Sequence, residues 1–230
     1  MRVLVFALAL LLSACAPSAD LRIDTPTEPL APGRLVVVPV WTSSHRVEAA
    51  GETLAHAEFE SAEDHEAAFW PTFATALGQT LPALDVRLGE PADASSFVTK
   101  RALVRGVTPG YGRDRWTVES VSVPEAVPFE ALDADYVLYI VDPSVAWTDV
   151  DVSMAVAGVG PARGRSMHAG AEMLLFVAGT GGGSPVVAHT VTGTQKASGI
   201  IRARLSRETW EGAIADLADR VASASQGERF

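Results

Sequence analysis

The chain has 230 residues, a formal net charge of −10 and 48% apolar residues. That balance suits one packed domain with an insertion and argues against global disorder. The 18 Lys and Arg residues form no cluster, so the sequence lacks the basic face that a nucleic-acid binder needs, and an acidic body is repelled by anionic lipid.

Arg2 is followed by an apolar run from Val3 to Leu12 and then by Ser13-Ala14-Cys15. The run is too short to cross a hydrocarbon core of about 30 Å as a helix. Behind a basic amino terminus it has the form of a secretory signal. Cys15 is the only cysteine, so it has no intramolecular disulfide partner. One alternative is an ordinary signal peptide that leaves Cys15 as a free thiol, a liability in an oxidising compartment. Acylation of Cys15 explains both its presence and its position. Leu12-Ser13-Ala14-Cys15 resembles a bacterial lipobox. The resemblance implies that residues 1–14 are removed and that Cys15 becomes a lipid-modified amino terminus. Ala16, rather than Asp, follows the cysteine, which implies sorting to the outer membrane, facing the periplasm. The acyl chains, at about 0.8 kcal/mol per buried methylene, would supply the membrane attachment.

Residues 16–33 contain Pro17, Pro26, Pro29 and Pro32 among Ser, Thr and Asp, a composition that predicts an extended tether with little to bury. Leu35 to Val40 is a continuous apolar run, expected as a central strand buried on both faces, with pairing weakened at Pro39. Phe69, Phe73, Leu77 and Leu81 make a helical stripe. Ser61 with Asp64 is a capping signal. With Pro71 present, the helix is either kinked there or begins near Trp70, and Pro82 should end it. Asp85 to Leu88 is a short strand. Phe97 to Val104 is predicted helical and Trp116 to Val123 extended, with a turn at Pro109-Gly110 and Tyr111-Gly112. Phe129 to Asp133 is one helical turn.

Tyr136 to Val141 is the second buried strand. Val150, Val152, Met154 and Val156 alternate with Asp149, Asp151 and Ser153 as in a half-exposed strand. Gly158 to Gly164 is expected to be a flexible link. Met173 to Val177 is a third core strand, and a turn over Gly179 to Ser184 joins it to the alternating run Val186 to Thr194 as a hairpin. Ser206 is a good N-cap, Leu205 with Trp210 forms a hydrophobic staple, and Trp210, Ala213, Ile214, Leu217 and Val221 form a buried helix face. The expected fold is α+β: a mixed or mostly antiparallel sheet of about five strands with helices packed on one face. The expected organisation is a signal peptide over 1–14, a lipidated cysteine and tether over 15–33, a single domain over 34–224 with 91–132 as an insertion candidate, and a tail over 225–230.

A buried strand ending in proline (Val36-Val37-Val38-Pro39), a helix, Ala134-Asp135-Tyr136-Val137 opening a strand, a long hairpin and a carboxy-terminal helix occur in that order. Over most of 34–224 this arrangement resembles the periplasmic domains of bacterial envelope lipoproteins similar to the TolB amino-terminal domain and the curli-secretion lipoprotein family. Residues 91–132 depart from the pattern by being longer and richer in turns. The resemblance implies a domain without catalysis that docks onto envelope machinery or assembles with copies of itself.

Candidate chemistry is sparse. Gly179-Thr180-Gly181-Gly182-Gly183-Ser184 is similar to a dinucleotide loop, but that fingerprint needs glycine at Ser184 and a following helix, whereas Pro185 and a strand follow. There is no Gly-x-Ser-x-Gly elbow, and Ser184 is a weak nucleophile without a placed base. His45, His56 and His65 lie among Glu58, Glu60, Glu63 and Asp64, a zinc-compatible set with no compact spacing; a solvated acidic loop is the alternative. No metal site is assigned, and His56 and His65 are the weak candidates for one. His168 and His189 have no partner nearby in sequence. Asp133 and Asp135 are either a carboxylate pair or the end of a helical turn and the start of a strand. Trp41 and Trp147 follow core strands, where a binding surface could lie. The expected function is a lipid-anchored periplasmic interaction protein, an accessory or structural subunit of an envelope complex, without catalysis or cofactor. Its partners would be the membrane through the lipid, and envelope proteins or its own copies, not nucleic acid. The alternative is a lipoprotein that binds a small ligand or metal.

Overall fold

The computed structural model describes residues 21–23, 28–42, 47–49, 51–107, 114–152, 162–179, 184–197 and 205–227. The lipobox with Cys15, His45, the turn at 109–112, residues 153–156 of the alternating run, residues 158–161 and the last three residues of the tail lie outside them. No helix of the described residues is long and apolar enough to cross a membrane.

Strand β8 (Tyr136–Val152) organises the larger sheet. It pairs in parallel with β2 (Gly33–Trp41), from Leu35 opposite Tyr136 to Val40 opposite Val141, and antiparallel with β9 (Ala162–Val177). Beyond β9 lies β10 (Val187–Lys196), antiparallel, and beyond β2 lies β4 (Leu84–Leu88), parallel. Two short strands complete the seven: β3 (Glu48–Ala49) on β8 and β5 (Ala92–Asp93) on β2. Pro39 leaves the expected mark. Pairing of β2 with β4 stops at Val37 and resumes with β5 only at Val40, because proline offers no N–H to a neighbour on that side.

Both faces of this sheet are buried, and the alternation of side chains divides them between two cores. Leu35, Val37, Leu138, Ile140, Met173 and Leu175 point into one. Val36, Val38, Val40, Val137, Tyr139, Val141, Leu174 and Phe176 point into the other. Unbroken apolar runs in the sequence are the signature of this arrangement. The first core is closed by α1 (Gly51–His56), α2 (Ala62–Thr80) and α4 (Arg207–Ser225). Helix α2 begins at Ala62, where Ser61 accepts from the Asp64 N–H, and it runs through Pro71 to Leu81, so the proline is interior and does not start the helix. Helix α4 carries a full capping box between Ser206 and Thr209, and Leu205 and Trp210 are both buried beside it.

The second core is closed by another sheet, which the sequence pattern did not predict. Phe97 to Val104, expected to be helical, belongs to β6 (Phe97–Val107), antiparallel to β7 (Asp114–Pro124). Ala102 and Val104 are buried with Val123 of β7 in the second core, and their two-residue spacing is one that a helix face cannot satisfy. Segment 91–132 therefore supplies a layer that buries Val36, Tyr139 and Phe176. The short helix α3 (Phe129–Leu132) also packs on this side through Phe129 and Leu132, so the helices are not confined to one face. In all, the described residues form ten strands in two sheets, against about five strands in one sheet expected.

Three smaller expectations are corrected. Within the segment read as a tether, β1 (Leu21–Ile23) joins β6 in parallel, and Leu21 and Ile23 are 7% and 2% exposed. Two apolar residues flanking Arg22 suffice for a strand once an existing sheet offers the ladder. Residues 162–164, expected in a flexible link, already pair with β8, and Val150 and Val152 continue β8 rather than forming a separate strand.

Helix α4 lies almost directly on the backbone of β10. A Cβ on Gly193 would stand 2.1 Å from the Leu217 nitrogen and 2.4 Å from the Ala213 oxygen. Neither atom can move without displacing the helix, so Gly193→Ala should cost about 3 kcal/mol or more. Urea unfolding of this variant beside Gly170→Ala, where a Cβ would meet nothing nearer than 3.7 Å, measures the difference.

Candidate functional site

Past Val141 strand β8 changes partners. Asp142 takes a positive φ of 43° at the register break between Val141 and Ser144, and its carboxylate accepts from the Thr42 N–H at 2.8 Å and from the Thr42 hydroxyl. This bulge ends the contact with β2 and sends β8 and β9 on together as a long pair of strands. Odd-numbered positions of β9, among them Met167, Ala169 and Ala171, still face the helix-side core. The even positions Ser166, His168, Gly170 and Glu172 therefore lie on the opposite face.

Register now brings four polar side chains from three strands together. Thr148 on β8 stands opposite Ser166, and Thr194 on β10 stands opposite His168. The imidazole Nε2 is 2.9 Å from the Thr148 hydroxyl and 2.8 Å from that of Ser166, while Nδ1 is 3.0 Å from the Thr194 hydroxyl. The hydroxyl hydrogens rotate, so either tautomer of His168 can be satisfied. At the sheet edge, the Thr194 N–H donates to Asp216 of α4 at 2.7 Å, which covers part of an otherwise open strand edge.

A serine hydroxyl at hydrogen-bond distance from an imidazole is the pairing a nucleophile needs. Here, however, the second nitrogen meets a threonine rather than a carboxylate, and Ser166 is only 1% exposed. This arrangement joins β8, β9 and β10 on the face that the second hydrophobic core does not reach. Removing the ring would leave the buried Ser166 hydroxyl poorly satisfied. His168→Ala should lower stability by about 1–2 kcal/mol, with partial recovery in His168→Gln, as read by urea denaturation.

The residues singled out by sequence are distributed differently. His56 stacks edge-on against Trp147 at 5.6 Å, and the Arg165 guanidinium lies 5.0 Å from the centre of the same indole. His65 is wholly buried, and neither ring nitrogen has a hydrogen-bond partner. Phe59 and Trp210 pack against it at 5.0 and 5.6 Å. Burial, and then the charge of Arg207, lower its pKa from 6.5 to about 4. Burial also lowers the pKa of His189, with Glu119 opposing, and pushes the Tyr139 phenol up to about 12. Among the described residues no three His, Cys, Asp or Glu side chains gather as a metal ion requires. Asp133 and Asp135 both serve Arg34: Asp135 accepts its backbone N–H at 2.8 Å and Asp133 pairs with its guanidinium, which fixes the start of β2. Ser184 is half-buried beside residues outside the described set.

Sequence reasoning passed over His168 because two of its three partners, Thr148 and Thr194, lie 20 and 26 positions away. The available signal was the alternation of Ser166 with His168 and of Thr190, Thr192 and Thr194, which puts hydroxyls on one face of a hairpin.

No family model and no curated protein matches the chain. Among solved structures, a hypothetical protein from Chlamydia trachomatis is 13% identical, with 85% of this chain and 98% of that one covered and a TM-score of 0.37. A Xanthomonas campestris protein of the family DUF330 is 12% identical, with 90% and 92% covered and a TM-score of 0.34. Both are bacterial, and scores this low establish no shared fold.

Proposed function

We propose that this chain is a lipid-anchored interaction protein of the bacterial envelope, held on the periplasmic side of the outer membrane and serving as an accessory or structural subunit without a catalytic role. The observation that carries the proposal is Cys15, the sole cysteine, placed behind Arg2 and the apolar run Val3 to Leu12. A signal of that form delivers the chain across a membrane, and acylation at the cysteine would retain it there. The folded part supports a docking role through its surface. At and past the Asp142 bulge, β8, β9 and β10 offer a face of hydroxyls and one imidazole, with Thr148, Glu172, Thr190 and Thr192 exposed on it. Hydroxyls fixed on a rigid sheet suit hydrogen bonding to a partner's polar surface at low entropic cost.

Cells fed labelled palmitate should incorporate it into the native chain and not into Cys15→Ser, and the variant should move from the membrane fraction to the soluble periplasmic fraction. Crosslinking in the native cell should then recover a defined envelope protein, or a second copy of the chain, with the lipidated form. Membrane release without loss of label, or label on the variant, would contradict the anchor.

A further inference from the structure

One buried group has no role in the docking surface or in the anchor. His65 sits in the first turn of α2, fully enclosed, with both ring nitrogens unpartnered. Phe59, from the segment between α1 and α2, and Trp210, from the first turn of α4, also face each other at 4.9 Å. Phe69, one turn further along α2, completes the enclosure at 6.4 Å. Arg207, the first residue of α4, lies over two of these rings, 4.2 Å from the centre of Phe59 and 4.6 Å from that of Trp210, and Glu211 holds it at 3.4 Å.

A proton on His65 would have nowhere to go. Among the described residues no acceptor reaches either nitrogen. The nearest cation, Arg207, repels it. The amino-terminal ends of α2 and α4 meet at this corner, and the positive end of a helix dipole disfavours a further cation. Acidic residues close by in the chain do not compensate: Asp64 is engaged by the Ser61 hydroxyl at 2.9 Å and Glu211 by Arg207, while Glu58, Glu60, Glu63, Glu66 and Glu208 give the buried ring no hydrogen bond. The box therefore favours a neutral imidazole.

We propose that this corner is an acid-sensitive latch: the starts of α2 and α4 and the Phe59 segment stay docked only while His65 is neutral, and protonation of His65 undocks them while the seven-stranded sheet persists. The direction follows from proton linkage. The undocked corner would hold the imidazole near 6.5 and the docked corner holds it at about 4. Between those values only the undocked form takes up the proton, so docking is strongest above the upper value and weakens as pH falls toward the lower one. The sheet's backbone ladders and the apolar layers on its two faces take up no proton themselves. Helix α4 remains attached further along through Leu217 and Val221. Undocking would expose Phe59 and Trp210, an aromatic surface that is covered at neutral pH.

The test is an acid titration of the full chain from about pH 7.5 to about pH 4, followed by near-ultraviolet circular dichroism and tryptophan fluorescence for the corner and far-ultraviolet circular dichroism for the backbone. The native chain should lose its tryptophan signals within that range while its far-ultraviolet spectrum persists. His65→Leu should move the transition down by about one pH unit or more. His65→Phe, which fits an aromatic box, repeats the test should the leucine variant fold poorly. His189→Gln separates the other imidazole whose neutral form is favoured by burial. A transition unchanged in both His65 variants, one abolished by His189→Gln alone, or simultaneous loss of both spectra in the native chain would overturn the latch.

Discussion

Everything in this molecule follows from the burial of β2 and β8 on both faces. Runs that are apolar at every position, Leu35 to Val40 and Tyr136 to Val141, cannot leave one side to water, so the chain has to supply two covers. It builds them from different material. Helices α1, α2 and α4 close one face, and the three-stranded sheet β1-β6-β7 closes the other. Each cover draws on segments distant in sequence, and β1 is recruited from the proline-rich stretch ahead of β2. The parallel pairing of β2 with β8 is the join between the halves: it spans about a hundred residues, and Asp135, Asp133 and Asp142 fasten it at both ends through Arg34 and Thr42.

The same strands leave the core as they continue. Once Asp142 has broken the register, β8 and β9 extend with one face still on the helices and the other carrying hydroxyls. Hydrophobic burial holds the first part of the sheet. Hydrogen bonds centred on His168 hold the second, where there is no apolar layer to do so on that face. The two histidines in contrasting roles illustrate the rule for buried polar groups. His168 is satisfied on both nitrogens and stabilises its surroundings, while His65 is satisfied on neither and makes its surroundings conditional on its charge.

Much of the fold was legible in the sequence where pattern and local chemistry agree. The central strands, the Ser61 and Ser206 caps, the α2 stripe and the α4 face all stand where periodicity and capping residues put them. Pro71 could be read in two ways, and tertiary burial of Phe69 and Trp70 decided in favour of one long helix, since both side chains have to reach the core together. The failure over Phe97 to Val104 has a physical cause too. Its apolar residues fit either period, and the residue that joins them in the core, Val123, lies on a separate strand, β7. The candidate site was the least legible part, because His168 acquires meaning only from register across three strands.

By itself the sequence determined the elements that depend on local interactions, together with the lipobox-like pattern at Cys15 that motivates the anchor. Such features are read by near neighbours along the chain, through side-chain period, capping and the small-residue run before the cysteine. Only the tertiary structure decided which side chains meet: that 91–132 covers a sheet face, that Thr148, Ser166 and Thr194 surround His168, and that the His65 nitrogens meet aromatic rings and, among the described residues, no hydrogen-bond partner. Those outcomes depend on strand register and on the docking of helices separated by more than a hundred residues, and no local pattern encodes them.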